Sequence, residues 1–163
     1  MREIIEQHEA FLNLGSNIEP KYHLPEAVRL LRQYGEVKAV SSAWQSHAVG
    51  SDGPDFLNAC VRFCTTLDAQ SLIQLVLRPI EAQLGRVRTA DVNAPRTIDI
   101  DLVLFDDEPF DKDFWSAPFV VVPLAELFPD YPHPYGYENL ATIAARARRK
   151  TWIVERPEVL STV

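Results

Sequence analysis

Residues 85–105 read GRVRTADVNAPRTIDIDLVLF, an arginine-rich loop that leads directly into an apolar stretch. The second half of this segment, TIDIDLVLF (97–105), predicts a β-strand that belongs to the core. Because alternate side chains of a strand point to the same face, Asp99 and Asp101 project together. The opposite face of the strand is apolar and carries Ile98, Ile100 and Leu102. The segment therefore predicts a core strand that displays two carboxylates beside a loop of arginines.

Apolar patterns before this segment predict three further strands. EAFLNLGS (9–16) is expected to be a strand that ends in a turn. EVKAVSSAWQSHAV (36–49) alternates well enough for one long strand, and FLNACVRFCTTL (56–67) alternates again. Between the first two of these stretches, YHLPEAVRLLRQY (22–34) has the apolar spacing of a helix, and Gly35 supplies its end.

A second helix is predicted from an N-cap at Asp68 to a glycine stop at Gly85. Pro79 lies inside it and is expected to bend the helix or to mark a boundary, because proline lacks the backbone N–H. The chain after residue 105 predicts three more elements, namely a short helix near PLAELF (123–128), a polar helix around 138–149 and a strand TWIV (151–154) at the sheet edge.

The order β-α-β-β-α-β with antiparallel neighbours predicts an α+β fold of ferredoxin-like type, with helices packed on the faces of a largely antiparallel sheet. No repeat or linker divides the chain, so residues 1–163 are expected to form one domain. The net charge of -7 argues against a nucleic-acid partner. No apolar stretch reaches the length of a membrane span, and the first residues are too polar for a signal peptide. Cys60 and Cys64 lie too far apart on one strand to pair, so reduced thiols and a cytoplasmic location are predicted.

The carboxylates and arginines of residues 85–105 are suited to metal and phosphate. Mg²⁺ takes oxygen ligands from one or two carboxylates and from substrate phosphates, so Asp99 and Asp101 are candidate ligands. Arg86, Arg88 and Arg96 supply guanidinium groups, which bind phosphate in a bidentate manner. Two alternatives stay open, namely solvated acids at a strand edge and a network of salt bridges among the same charges. No Walker-type or G-x-G-x-x-G loop occurs in the chain.

The joint occurrence of four motifs in order resembles the 6-hydroxymethyl-7,8-dihydropterin pyrophosphokinase family of folate biosynthesis. The motifs are LGSN (14–17), DFLNA (55–59), GRVR (85–88) and PRTIDIDLVLF (95–105), and the resemblance is strongest over residues 10–128. It implies an enzyme that transfers the terminal diphosphate of ATP to the hydroxymethyl group of a reduced pterin and releases AMP. It also implies two Mg²⁺ ions, ATP as co-substrate, and small-molecule rather than nucleic-acid or membrane partners. The oligomeric state stays open, with a monomer favoured.

The resemblance also implies roles for particular residues. Asp99 and Asp101 match the metal ligands, and Arg86 and Arg96 match arginines that stabilise the charge of the transition state. Glu81, Arg88 and Leu102 match residues of the ATP site. The pterin site would be formed by Gly15, Ser46, Ala48, Val49, Phe56, Asn58 and Phe119. In that site Asn58 would read the edge of the ring with its amide, and the two phenylalanines would flank the ring.

Two departures from the family pattern lead to an alternative function. Asn93 stands where the family usually has an aromatic residue in a mobile loop, so a looser lid is expected. A basic loop that the family places before its FVxxPL segment is shortened here, because Pro118 runs straight into Phe119. The alternative is therefore a pterin- or nucleotide-binding module without turnover. A third reading, a metal-dependent hydrolase or glycosyltransferase that uses the Asp-x-Asp pair, lacks a His/Asp cluster to support it.

Overall fold

The structure is a computed structural model, and it describes residues 5–50, 52–91 and 93–163. Its strands are β1 (His8–Ser16), β2 (Glu36–Val40), β3 (Ala43–Ser46), β4 (Phe56–Thr65), β5 (Asp99–Phe105), β6 (Glu108–Pro109) and β7 (Ile153–Arg156). Its α-helices are α1 (Pro20–Leu31), α2 (Ala69–Leu72), α3 (Arg78–Gln83), α4 (Pro118–Leu127) and α5 (Leu140–Lys150). A π-helical turn (Ile73–Leu77) joins α2 to α3, and short 3₁₀ turns occupy Lys112–Ser116 and Pro157–Val159.

All seven strands form one sheet in which every pairing is antiparallel. The strand order is β6-β5-β1-β4-β3-β7, and β2 pairs with β4 beside β3. The central strand β1 therefore lies between β4, the strand of the DFLNA motif, and β5, the strand of the two aspartates. The last strand β7 pairs with β3 at the edge of the sheet, as predicted for TWIV.

Helices cover both faces of the sheet. On one face, residues of α1, α2 and α3 pack on the even-numbered side chains of β1 and β5, such as Leu12, Leu14 and Ile100. On the other face, residues of α4 and α5 pack on side chains of β1 and β5 that point the opposite way, such as Phe11 and Val103. This arrangement confirms the predicted α+β class, with a largely antiparallel sheet and helices on its faces. The core strand predicted over residues 97–105 is confirmed from Asp99 to Phe105, and Ile98, Ile100 and Leu102 are all buried.

The prediction of one long strand over residues 36–49 is wrong. The chain forms two short strands there, β2 and β3, which pair one after the other with β4. Ser41 separates them: its Oγ accepts a hydrogen bond from Cys60 N at 2.8 Å, and its N donates to Cys60 O at 2.9 Å. A side-chain oxygen thus replaces a backbone acceptor of the ladder, and the strand is interrupted at that point.

The helix predicted from Asp68 is confirmed in its cap and differs in its interior. The Asp68 side chain accepts a hydrogen bond from Ser71 N at 2.8 Å. The helix then widens into the π-helical turn, which ends shortly before Pro79. Because proline has no N–H to donate, a local change of hydrogen-bonding pattern accommodates it within a continuous helical path. The boundary predicted at Pro79 is therefore a change of helix type.

Candidate active site

A cavity of about 310 Å³ lies on the face of the sheet that α4 covers, next to the start of that helix, where Ala117 and Phe119 line it. We call it the central cavity. Nine of the residues predicted for the site line it, namely Gly15, Ser46, Val49, Phe56, Asn58, Arg96, Asp99, Asp101 and Phe119. Its wall also contains Asn13, His47, Asn93, Asp113, Phe114 and Ala117. The structure therefore brings the predicted pterin, metal and arginine residues to one place.

Strand register explains why these side chains meet. Gly15 of β1 lies opposite Asn58 of β4 on one side and opposite Asp99 of β5 on the other. Residues directly opposite each other in adjacent strands project to the same face of the sheet. Asn13, two residues earlier on β1, lies opposite Asp101 in the same way. The floor of the central cavity thus has an amide at its β4 side and carboxylates at its β5 side.

Asn58 is held by two neighbours on β1. Asn13 Nδ2 donates a hydrogen bond to Asn58 Oδ1 at 3.3 Å, and both side chains are about 95% buried. A Cβ atom at position 15 would lie only 2.5 Å from Asn58 Oδ1. The absence of a side chain at Gly15 is therefore what allows the Asn58 amide to lie across β1.

Asp99 is bound by two arginines. Arg86 Nε donates to Asp99 Oδ1 at 2.8 Å, and Arg96 Nη1 donates to Asp99 Oδ2 at 2.5 Å. Burial alone would raise the pKa of Asp99, but these two hydrogen bonds and the arginine charges outweigh it, so its pKa is lowered. Arg96 also lies over the Phe56 ring, with its Cζ 5.8 Å from the ring centroid. The charge network that the sequence left open as an alternative is present in this arrangement.

Asp101 has a different electrostatic environment. Burial, and then the negative charges of Asp99 and Glu81, raise its pKa to about 7. A carboxylate in this position gains from a cation. Within residues 5–50, 52–91 and 93–163, no group of three or more His, Cys, Asp or Glu side chains is placed to hold a metal ion. Two carboxylates with space beside them nevertheless fit Mg²⁺, which takes its remaining oxygens from water and phosphate.

Five predicted site residues lie outside the lining of the central cavity: Glu81, Arg86, Arg88, Leu102 and Ala48. Arg86 reaches the site through Asp99, and Ala48 lies in the loop between the lining residues His47 and Val49. Leu102 is 3% exposed and packs in the core, on the opposite face from the two aspartates. A contact of Leu102 with adenine stays a prediction.

Glu81 is likewise a buried residue rather than a cavity residue. It is 2% exposed, and its Oε2 accepts hydrogen bonds from Ile100 N at 2.8 Å and from Arg78 at 2.9 Å. Its Oε1 accepts from Arg88 at 3.2 Å. Glu81 thus joins α3 to β5 behind the aspartates, and it pairs with Arg88, which does not line the central cavity. Contacts of Glu81 and Arg88 with ATP stay a prediction.

The rim of the central cavity comes from two loops. His47 Nδ1 lies 2.9 Å from Asp55 Oδ1, and the imidazole stacks on Trp152 with ring centroids 4.3 Å apart. Asn93, in the arginine-rich loop before β5, lies close to Gly50. A Cβ atom added to Gly50 would be only 2.9 Å from Asn93 Nδ2. Asn93 therefore brings the arginine-rich loop close to the loop before β4, beside the cavity that Asn93 and Val49 line.

Sequence reasoning did not identify Asn13 as a site residue. A single asparagine within the apolar stretch EAFLNLGS resembles an ordinary position of a buried strand. Its place in the site depends on strand register, since it becomes a cavity residue only when β1 lies between β4 and β5. The sequence contains one indication of this role: Asn13 is two residues from Gly15 on the same strand, so the two share a face.

The fold and the site define an α+β protein with a small-molecule cavity in which acidic, arginine and amide side chains meet. Comparison with protein families gives a match over residues 11–129 to the model described as 7,8-dihydro-6-hydroxymethylpterin-pyrophosphokinase (HPPK). The chain belongs to this family. The resemblance drawn from the sequence motifs is thereby confirmed.

Several relatives carry the name 2-amino-4-hydroxy-6-hydroxymethyldihydropteridine pyrophosphokinase, and three of them illustrate the similarity. The protein of Synechocystis sp. is 36% identical over 138 residues, which cover 78% of this chain and 70% of the relative. The Bacillus subtilis protein is 37% identical over 130 residues, covering 72% of this chain and 77% of the relative. The Pseudomonas aeruginosa protein is 34% identical over 148 residues, covering 83% and 90%.

Solved structures agree on the fold. A crystal structure of wild-type Plasmodium falciparum HPPK-DHPS with pteroate matches with a TM-score of 0.69 over 92% of this chain, at 12% sequence identity. The chain spans 44% of that longer protein, and at this identity the likeness concerns the fold alone. Within the described residues no helix is both long and apolar enough to cross a membrane.

Proposed function

We propose that this protein transfers diphosphate from ATP to the hydroxymethyl group of 6-hydroxymethyl-7,8-dihydropterin and releases AMP, as a Mg²⁺-dependent pyrophosphokinase of folate biosynthesis. The observation that carries the proposal is the row Asn58–Gly15–Asp99 across three strands. It places an amide suited to a pterin edge and a carboxylate suited to a metal on either side of one glycine. Family membership and the names of the relatives support the same activity.

Asp99 and Asp101 are the proposed ligands of two Mg²⁺ ions. Their shared face, and the pKa of Asp101 raised to about 7, fit a site that attracts cations. When bound, Mg²⁺ would neutralise negative charge on the phosphates during phosphoryl transfer. The protein's own part is to keep both carboxylates on one face of β5 beside the space for the phosphates.

Arg86 and Arg96 are the proposed partners of the transferred phosphates. Both guanidinium groups now contact Asp99, so they lie within reach of whatever that carboxylate binds. Guanidinium groups stay charged at all relevant pH values and suit the bidentate recognition of phosphate oxygens. In phosphoryl transfer such groups act by stabilising charge at fixed positions.

The pterin is proposed to lie between Phe56 and Phe119, with its polar edge on Asn58. All three residues line the central cavity, and Ser46 and Val49 line it beside them. An asparagine amide both donates and accepts, as the edge of a pterin requires. Gly15 would lie beneath the ring, and Ala48 would contribute through its backbone.

ATP is the proposed co-substrate, and we assign Glu81, Arg88 and Leu102 to its vicinity on the strength of the family resemblance alone. We also propose a single domain over residues 1–163, since β7 near the carboxyl end completes the same sheet as β1. A monomer in the cytoplasm, with small-molecule substrates and no nucleic-acid or membrane partner, is the proposed working form.

The alternative of a binding module without turnover rests on the shortened loop before Phe119. Against it stand the family match and the assembly of acids and arginines around one cavity. A chain that only held a pterin would have no use for two carboxylates that repel each other without a cation. Enzymatic activity is therefore the better-supported proposal.

The test follows AMP release from ATP with Mg²⁺ and 6-hydroxymethyl-7,8-dihydropterin. We expect pterin-dependent AMP from the wild type and none from the Asp99→Ala, Asp101→Ala double variant. Asp130→Ala removes an exposed carboxylate elsewhere and serves as the matched control. Thermal melts with and without Mg²⁺ supply a readout that is independent of turnover. Pterin binding without AMP release would establish the binding module instead.

A further inference from the structure

Asn13 has an unusual hydrogen-bonding state for a buried side chain. It is 5% exposed, it lines the central cavity, and its Nδ2 donates to Asn58 Oδ1. Its own Oδ1 is buried and has no hydrogen-bond partner among the described residues. A buried acceptor without a donor destabilises the folded state, because it has lost its hydrogen bonds to water. An apolar residue at position 13 would have no such unpaired oxygen. The presence of an amide there therefore suggests a role in function rather than in stability.

We propose that Asn13 is a positioning residue for the pterin, and that it acts through Asn58. This inference rests on the proposed function, because it assumes that Asn58 reads the edge of a pterin. The Asn13 NH₂ group holds one lone pair of Asn58 Oδ1 and thereby fixes the plane of the Asn58 amide. The second lone pair and the Asn58 NH₂ group are then available to the substrate.

The surroundings of Asn58 Oδ1 support this role. The oxygen lies across β1, where only the missing side chain of Gly15 leaves room for it. A carboxamide in such a position can turn about its last torsion, because that torsion has broad minima. The hydrogen bond from Asn13 is the one described contact that fixes the Asn58 side chain. Without this hydrogen bond, the Asn58 amide would lose its torsional freedom only when the substrate binds, and that loss would weaken the affinity.

A purely structural role for Asn13 predicts different behaviour. In that case Asn13 would stabilise the sheet, and its removal would lower the melting temperature without a selective effect on the pterin. The unpaired Oδ1 argues against a net gain in stability from Asn13: Asn13→Leu removes this unpaired buried oxygen but also takes the donor from Asn58 Oδ1, so its two effects on stability oppose each other. Asn13→Leu has nearly the same shape and fills the same space, whereas Asn13→Ala tests the effect of a smaller side chain.

The experiment measures dissociation constants by calorimetry for the pterin and for a non-hydrolysable ATP analogue with Mg²⁺. The variants are Asn13→Ala, Asn13→Leu, Asn58→Ala and the double variant Asn13→Leu/Asn58→Ala. We expect both Asn13 variants to bind the pterin about tenfold more weakly and the ATP analogue as the wild type does. The melting temperature of Asn13→Leu should stay close to that of the wild type, because losing the unpaired Asn13 oxygen offsets losing the hydrogen bond to Asn58. In the Asn58→Ala background the Asn13 substitution should have little further effect. Gln74→Ala, an exposed amide far from the cavity, is the control for truncation.

Two results would overturn the inference. One is pterin binding by both Asn13 variants that equals the wild type. The other is a tenfold loss that persists in the Asn58→Ala background, since Asn13 would then act independently of Asn58. A wild-type protein that binds no pterin would instead refute the proposed function, and the two failures are thereby distinguished.

Discussion

Arg86 Nε lies 2.8 Å from Asp99 Oδ1, so an arginine proposed to bind phosphate is paired with an aspartate proposed to bind metal. Arg96 makes the corresponding contact to the other oxygen of the same carboxylate. Opposite charges hold each other in place in this arrangement, with the Arg86 and Asp99 side chains 10% and 15% exposed. A phosphate is negatively charged and could replace Asp99 beside the arginines, while a metal ion is positively charged and could replace the arginines beside Asp99. No charge would then be left unpaired.

The first prediction concerns these two arginines. Arg96→Ala and Arg86→Ala should each lower kcat/KM by roughly 10- to 100-fold, because each removes a charge-assisted contact worth about 1.5–3 kcal/mol. Steady-state kinetics with ATP as the varied substrate measures the effect. Arg32→Ala, which removes an exposed arginine at the end of α1, is the control and should match the wild type. Unchanged kcat/KM in both site variants would reject their assignment to the phosphates.

The second prediction concerns Asp101 and pH. Its pKa is raised from 3.8 to about 7, chiefly by burial and then by Asp99 and Glu81. The folded protein therefore holds this proton more tightly than the unfolded chain does. The contribution of this group to stability is fully present below its unfolded pKa and is lost as pH rises through about 7.

Melting temperatures in a chelating buffer test this sign. Between about pH 5 and pH 8 the wild type should lose stability relative to Asp101→Asn, which has no proton to lose at this position. Mg²⁺ should restore stability to the wild type at the upper end of this range, because metal binding requires the ionised carboxylate. Parallel pH curves for the two proteins would show that Asp101 titrates normally.

Local sequence patterns are enough to predict most strands and helices of this fold, but they do not predict where a strand is interrupted. The strand of Asp99 and the N-cap at Asp68 depend on neighbouring residues, so the sequence sufficed for both. The break at Ser41 depends on a hydrogen bond to Cys60 on another strand, which no local pattern contains. The same limit applies to the site: Asn13 is recognisable there only through strand register. The burial of Leu102, by contrast, follows from local alternation alone, since its neighbour Asp101 faces the cavity.

The third prediction separates a structural from a nucleotide-binding role for Glu81. Glu81→Leu removes the acceptor of the buried Ile100 N–H and should lower the free energy of unfolding by about 1–3 kcal/mol. Denaturant unfolding measures this loss, and the affinity for an ATP analogue measures the other role. Glu158→Leu, at a surface acid near the carboxyl end, is the matched control. A stable Glu81→Leu protein with weakened ATP binding would support the family assignment over the structural one.

The fourth prediction uses the space above Gly15. The backbone of Gly15 does not have a positive φ, so alanine is allowed there without backbone strain. Its Cβ would nevertheless lie 2.5 Å from Asn58 Oδ1, and the Asn58 amide would have to turn away from β1. That movement breaks the hydrogen bond from Asn13 and misdirects the group proposed to read the pterin. We expect Gly15→Ala to fold and to bind the pterin at least about tenfold more weakly.

Gly136→Ala is the matched control for this substitution. The nearest atom to its added Cβ would be His133 Nδ1 at 3.8 Å, an ordinary contact, and position 136 lies outside the central cavity. Calorimetry should show wild-type pterin affinity for Gly136→Ala and the expected loss for Gly15→Ala. Affinity for an ATP analogue should stay unchanged in both, because Asn58 lies on the β4 side of the floor. Wild-type pterin affinity in Gly15→Ala would mean that the Asn58 amide can move without consequence, and hence that its orientation does not determine pterin binding.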